Sequence, residues 1–79
     1  MKIEILGSGC ANCKRMYDNA TEAVKKAGLQ AEVIKIEALE EIIGRGVMMT
    51  PSLFVNGEEQ IAGRVPTVNE IAEILRQAP

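Results

Sequence analysis

The sequence predicts an α/β fold with the element order β-α-β-α-β-β-α, a four-stranded mixed sheet flanked by three helices. Two observations lead to this prediction: the hydrophobic pattern changes repeatedly between the periods of a strand and of a helix, and glycine-containing breaks separate the segments. The chain has 79 residues, enough for one small core. We therefore expect a single domain over residues 1–79.

The first half of the chain predicts a strand–helix–strand unit. Residues 2–6 are short and rich in apolar side chains, which is typical of a central strand. Residues 10–27 place apolar side chains every three or four positions, and Gly28 stands at the expected helix C-cap. Residues 31–36 are rich in β-branched side chains and predict the second strand. The connection must be a parallel crossover, so the end of the first strand and the start of the first helix meet at one edge of the sheet.

A short helix and a hairpin follow. Leu39, Ile42 and Ile43 predict one buried helical face before a glycine-rich break. Residues 52–55 and 58–62 predict the third and fourth strands, joined by Asn56 and Gly57, a strong signal for a type I′ turn.

The last segment predicts a capped helix. Thr67 and Glu70 have the spacing of a capping box, in which each side chain accepts from the other residue's backbone amide. Ile71, Ile74 and Leu75 then mark the buried face of the helix.

Composition excludes several classes of function. The net charge of −2 argues against a nucleic-acid or anionic-membrane partner, both of which require clustered positive charge. The absence of histidine excludes His-dependent catalysis and His-ligated metal sites within one chain. No apolar run approaches the roughly 20 residues that span a bilayer, and we expect a cytoplasmic protein.

Cys10 and Cys13 lie at the junction of the first strand and the first helix. Unpaired amides and the helix dipole favour a thiolate at Cys10, which is the form that attacks disulfides. Cys13, one turn further on the buried face, is expected to be the resolving thiol that releases a substrate from the mixed disulfide. Two other interpretations remain open: a pair of buried, inert cysteines, or a two-thiolate copper(I) site.

A threonine–proline pair, Thr50 and Pro51, comes directly before the third strand. With the cysteine pair at Cys10–Cys13, the Asn56-Gly57 hairpin and a closing helix, the chain resembles the thioredoxin superfamily, specifically its small thioredoxin-like or glutaredoxin-like redox-active disulfide proteins. The resemblance implies a thioredoxin-like fold, a cis peptide bond between Thr50 and Pro51, and a loop that lies against the cysteine pair. It also implies that the Thr50 backbone offers strand-like hydrogen bonds to an extended substrate peptide.

Other residues near these motifs depart from the family or carry weaker expectations. Ala11 and Asn12 form the spacer, where typical members have Gly-Pro or Pro-Tyr. Thioredoxins use a buried strand carboxylate for proton transfer, whereas we expect Glu4 to point to solvent. Met48 and Met49 are candidates for an apolar rim that contacts substrates, with filling of the core or a place in a surface loop as alternatives of at least equal weight. Gly63 is a candidate for close backbone approach near the site.

The resulting hypothesis is a thiol–disulfide oxidoreductase that uses the Cys10–Cys13 pair on protein disulfides. It needs no organic cofactor and no metal, and a separate, unidentified reductase supplies its electrons. One alternative is a copper(I)-carrying module, although such modules have the order β-α-β-β-α-β and end in a strand, whereas this chain ends in a capped helix. The other alternative is a thioredoxin-like docking domain without redox turnover.

Overall fold

A four-stranded mixed sheet in the order β2-β1-β3-β4 forms the centre of the structure. The computed structural model describes residues 1–9 and 11–78. The strands in this part of the chain are β1 (Lys2–Leu6), β2 (Glu32–Ile36), β3 (Ser52–Val55) and β4 (Glu58–Ala62). The helices described there are α1 (Ala11–Ala27), α2 (Leu39–Gly44) and α3 (Val68–Gln77). The element order and the mixed sheet confirm the predicted α/β, thioredoxin-like fold.

The central strand β1 is buried along most of its length. It runs parallel to β2 and antiparallel to β3, with Ile5 opposite Lys35 on one side and Leu53 on the other. Ile3 and Ile5 lie in the main core, whereas Leu6 lies in a second, smaller cluster. This alternation follows from the period of two in a strand and shows that β1 is covered on both faces of the sheet.

The main core lies between one face of the sheet and the helices α1 and α3. The buried residues of α1 follow the predicted helical spacing: Cys13, Met16, Ala20 and Ala23. Alanines at two of these positions allow α3 to pack close to α1. From α3, Ile71 and Leu75 are fully buried as expected, and Ile74 is partly buried against the same cluster.

The second face of the sheet is covered less completely. Ile42 of α2 packs with Leu6 and Phe54. The prediction that Leu39 and Ile43 share this buried face is wrong, since each is 65% exposed. Helix α2 has only six residues, and in so short a helix one apolar side chain reaches the sheet while its neighbours point away.

Local backbone signals place the turns where the sequence predicts them. Asn56 and Gly57 both have positive φ, 50° and 86°, as a type I′ turn requires. Gly28 has a φ of 67° after α1, in agreement with its predicted C-cap position. The capping box is complete: Thr67 Oγ1 accepts from the Glu70 amide at 3.1 Å, and Glu70 Oε1 accepts from the Thr67 amide at 3.0 Å.

Candidate active site

Cys13 is buried in the first turn of α1, near the end of β1. Its exposed fraction is 6%, and it is disulfide-bonded. The burial agrees with the sequence prediction for this residue. Cys10, the predicted nucleophile, lies outside the residues that the structure describes, and its role stays a prediction.

Gly7 is the residue that makes room for the Cys13 sulfur. A Cβ atom at Gly7 would lie 2.3 Å from Cys13 Sγ and 3.8 Å from Pro51 Cα. Every other amino acid would therefore collide with the sulfur, and the contact explains why a glycine ends β1. From the sequence, we interpreted Gly7 only as the end of a strand. Its position between that strand and the cysteine pair could have indicated that it belongs to the site.

The peptide bond between Thr50 and Pro51 is cis, as the family resemblance implied. Pro51 is buried and Thr50 is exposed. Because Gly7 has both Cys13 Sγ and Pro51 Cα as close neighbours, the structure brings the threonine–proline loop to the cysteine site.

A contact between Met49 and Gly63 supports this loop from the other side. The Gly63 amide donates to the Pro51 carbonyl at 3.0 Å. Gly63 has a φ of 80°, and a Cβ atom there would lie 2.8 Å from Met49 Cε. Gly63 thus permits the close approach considered for it from the sequence. Met49 remains 60% exposed, so much of its side chain faces outward beside the loop.

A pocket of about 140 Å³ opens beside Cys13. Its charged lining residues are Lys14, Lys35 and Glu37. Lys35 Nζ lies 4.5 Å from the centroid of the Tyr17 ring, in a cation–π arrangement. Sequence reasoning missed Lys35 and Glu37 as site residues. The signal was their spacing of two at the end of β2, which places both on one side of the strand beside the predicted site.

Glu4 is buried, and the prediction that it points to solvent is wrong. Its exposed fraction is 3%, and Arg45 donates to both of its carboxylate oxygens, at 3.1 and 2.5 Å. These hydrogen bonds hold the pKa of Glu4 below its ordinary value, although burial opposes them. The Arg45 guanidinium also lies 5.5 Å from the centroid of the Phe54 ring. The Glu4 carboxylate, which we expected to be exposed, is therefore buried in an ion pair with Arg45, a residue that is far away in sequence.

The Glu4–Arg45 pair and Cys13 belong to different faces of the sheet. Glu4 follows Ile3 and precedes Ile5, both of which face the main core with α1. It lines the hollow that also contains Arg45 and Glu41, not the pocket beside Cys13. Glu4 is thus not positioned to exchange a proton with Cys13.

Two further properties of the described residues bear on function. Within residues 1–9 and 11–78, no group of three or more His, Cys, Asp or Glu side chains is arranged to hold a metal ion. No helix in this same part of the chain has the length and apolar character needed to cross a bilayer.

Comparison with known proteins agrees with the fold. A family model described as a thioredoxin domain matches residues 1–76. A thioredoxin of Methanothermobacter thermautotrophicus is 48% identical over 75 residues, which cover 95% of this chain and 97% of the relative. A thioredoxin of Methanocaldococcus jannaschii is 35% identical over 74 residues, covering 94% of this chain and 85% of the relative.

Proposed function

The chain belongs to the thioredoxin family of thiol–disulfide oxidoreductases, and we propose that Cys10 and Cys13 are the redox pair with which it reduces protein disulfides. The observation that carries this proposal is that Cys13 is disulfide-bonded at the start of α1. Cys10 is the other cysteine of the chain and the partner we propose.

The proposed reaction has two exchange steps. The Cys10 thiolate attacks one sulfur of a substrate disulfide, so that a mixed disulfide forms and the other substrate sulfur leaves as a thiolate and takes up a proton. The Cys13 thiol then loses its proton and attacks the Cys10 sulfur, and the second substrate thiolate leaves. Two electrons pass to the substrate, and the Cys10–Cys13 disulfide remains.

The surroundings of the two cysteines support this division of roles. Cys13 is covered by Gly7 and by the body of the fold, so a bulky substrate cannot reach it, while a neighbouring sulfur can. Position 10 directly precedes the described start of α1, where helix amides and the helix dipole favour an anion. A thiolate at that position is the reactive form of cysteine.

The loop around Pro51 is the proposed binding site for the substrate peptide. Thr50 is exposed next to the buried Pro51, and we expect its backbone to form strand-like hydrogen bonds with an extended chain. Met49 adds an exposed, flexible apolar side chain that adapts to varied partners.

The remaining proposals concern the protein's setting. We expect the reaction to need no organic cofactor, and a separate reductase, not identified by the sequence, to return the two electrons. The domain extends over residues 1–79 and acts in the cytoplasm, where thiols are kept reduced.

Single-cysteine variants test the proposal. Cys10→Ser is expected to abolish the protein's acceleration of insulin reduction by dithiothreitol, followed as turbidity against the reaction without protein, because the attacking sulfur is lost. Cys13→Ser is expected to accumulate a mixed disulfide, detected by mass spectrometry, because no resolving thiol remains. Ala11→Ser introduces the same hydroxyl at an exposed neighbouring position and should behave as the parent. Parent-like activity in both cysteine variants would show the mechanism to be wrong.

A further inference from the structure

The side chain of Arg45 ties the C-terminal end of α2 to the sheet. Arg45 donates to both carboxylate oxygens of Glu4 on β1, at 3.1 and 2.5 Å. Its guanidinium also lies 5.5 Å from the centroid of the Phe54 ring on β3, the strand next to β1. A single side chain at the end of a short helix thus reaches two adjacent strands, and its partner carboxylate is buried.

Few other contacts fix the position of α2 on the sheet. The helix has six residues, of which Ile42 is the buried one, and its other large apolar side chains are mostly exposed. Lys2 also faces Glu4, at 3.8 Å, but Lys2 belongs to β1 itself and does not connect the helix to the sheet. Among the described residues, the Arg45–Glu4 pair is therefore the ion pair that links the end of α2 to the central strand.

The same end of α2 sets the path of the loop that carries Thr50. Gly46 has a φ of 75°, and its amide donates to the Ile43 carbonyl at 2.9 Å. The Val47 amide donates to the Ile42 carbonyl at 3.3 Å, and Val47 packs against the small cluster that contains Ile42. These are the contacts of a Schellman motif, in which the end of the helix determines the direction of the chain that follows.

A short connection leads from this motif to the substrate loop. Residues 48–50 are exposed and lie between the packed Val47 and the buried Pro51. The Pro51 carbonyl accepts from the Gly63 amide at 3.0 Å, so the far end of the connection is also held. Three residues between two fixed ends cannot absorb a displacement of α2 without a movement of the Thr50 backbone.

We propose that the Glu4–Arg45 ion pair positions the substrate loop: it fixes the end of α2, and through residues 46–50 it holds the Thr50 backbone in the conformation that binds an extended peptide. This inference rests on the proposed function, in which that backbone binds the substrate. The pair takes no part in the sulfur exchange, since it lies on the other face of the sheet from Cys13. It should therefore matter for peptide disulfides and not for disulfides that lack flanking residues.

Substitutions on both partners test the pair. A loop that occupies its binding conformation only about 10–30% of the time binds about 3- to 10-fold more weakly, and we expect this loss in Arg45→Met. Glu4→Gln should act in the same direction, and the double variant should lose no more than Arg45→Met, because the two residues act as one unit. Arg45→Lys keeps the charge and should recover part of the loss. Arg76→Met is the matched control, since it removes an ion-paired arginine of α3.

Two activated disulfides separate peptide binding from sulfur chemistry. One is an uncharged peptide whose central cysteine is joined to thiopyridine, and the other is N-acetylcysteine amide joined to the same group. In both, the Cys10 thiolate attacks the cysteine sulfur, a bond between these two sulfurs forms, and the thiopyridine leaves with the electron pair, takes up a proton and is followed by absorbance. The ratio of the two rate constants then reports peptide binding alone.

The parent should react faster with the peptide than with the small probe. Arg45→Met should lower this ratio about 3- to 10-fold, while its rate with the small probe stays close to that of the parent. A general structural defect would instead slow both reactions, so the ratio distinguishes a positioning role from a loss of structure.

The outcomes that would overturn the inference are distinguishable. A parent that reacts with neither probe faster than Cys10→Ser would show that the proposed function is wrong, and this inference with it. A parent without a preference for the peptide would refute the substrate site at Thr50 and hence the inference. An unchanged ratio in either single variant, equal losses with both probes, or additive losses in the double variant would refute the role of the ion pair alone.

Discussion

At the scale of single residues, the site depends on the absence of a side chain at Gly7. Its missing side chain leaves the space that the Cys13 sulfur occupies, and the same backbone borders Pro51. The sequence pointed to the cysteine pair through its place at a strand–helix junction, and the family resemblance pointed to Thr50 and Pro51. The space at Gly7 could not be predicted in this way, because it depends on how close α1 and the Pro51 loop approach the end of β1.

Gly7→Ala is expected to destabilise the oxidised protein by about 1–3 kcal/mol, because the added methyl group overlaps a buried sulfur and forces the backbone to move. Urea unfolding of the oxidised protein measures this directly. Gly44→Ala is the matched control, since a Cβ atom there meets no atom within 4 Å and Gly44 lies in α2, where alanine is the better helix former. Equal stability of the two variants would contradict the steric account.

The pair of Glu4 and Arg45 makes stability depend on pH. The folded pKa of Glu4 is lowered by the Arg45 hydrogen bonds, so the stabilisation is complete above the unfolded pKa, about 4.3, and is lost as the pH falls through the folded value. We expect Glu4→Gln to be less stable than the parent by about 1–3 kcal/mol at pH 7, with the difference shrinking toward pH 3.

Urea midpoints measured between pH 7 and pH 3 test this expectation. Glu22→Gln is the control, because Glu22 is exposed on α1 and should change stability by less than about 0.5 kcal/mol at either pH. A Glu4→Gln variant as stable as the parent at pH 7 would mean that the ion pair contributes nothing.

At the scale of elements, the sequence located the four described strands and α1 to within a residue, and it placed the start of α3 correctly. The reason is local chemistry: glycines end β1 and α1, Asn56 and Gly57 define the hairpin, and Thr67 starts α3. The buried face of α2 was predicted wrongly because such local signals are missing there. A six-residue helix carries too little periodicity to show which of its apolar residues meets the sheet, and the sheet register decides it.

The capping box of α3 gives a prediction at this scale. Thr67→Ala is expected to cost about 1 kcal/mol, because the Glu70 amide loses its acceptor, whereas Thr67→Ser keeps the hydroxyl and should be close to the parent. Thermal unfolding of the three proteins measures the difference. Arg64 and the Thr67 amide together lower the pKa of Glu70 to about 2, so the cap keeps its charge throughout the range from pH 4 to pH 8. A loss in Thr67→Ser as large as that in Thr67→Ala would contradict the capping role.

At the scale of the whole molecule, the site is assembled from segments that are distant in sequence. The end of β1 supplies Gly7, the start of α1 supplies Cys13, the end of β2 supplies Lys35 and the loop before β3 supplies Pro51. The sequence predicted the end of β1, the start of α1 and the loop before β3, because a strand–helix junction and a threonine–proline pair are recognisable motifs. Lys35, Glu37 and the Glu4–Arg45 pair could not be assigned, because their roles follow from register and from contacts across the sheet.

The most direct test of the central claim is the redox titration of the two cysteines. The protein is equilibrated with mixtures of reduced and oxidised dithiothreitol, its thiols are alkylated, and the mass of each species is measured. We predict that monomers carry either no label or two labels, with a two-electron dependence on the ratio of the buffer, because Cys10 and Cys13 join and separate as one pair. Singly labelled monomers, disulfide-linked dimers, or a bond that the dithiol does not reduce at any ratio would contradict it.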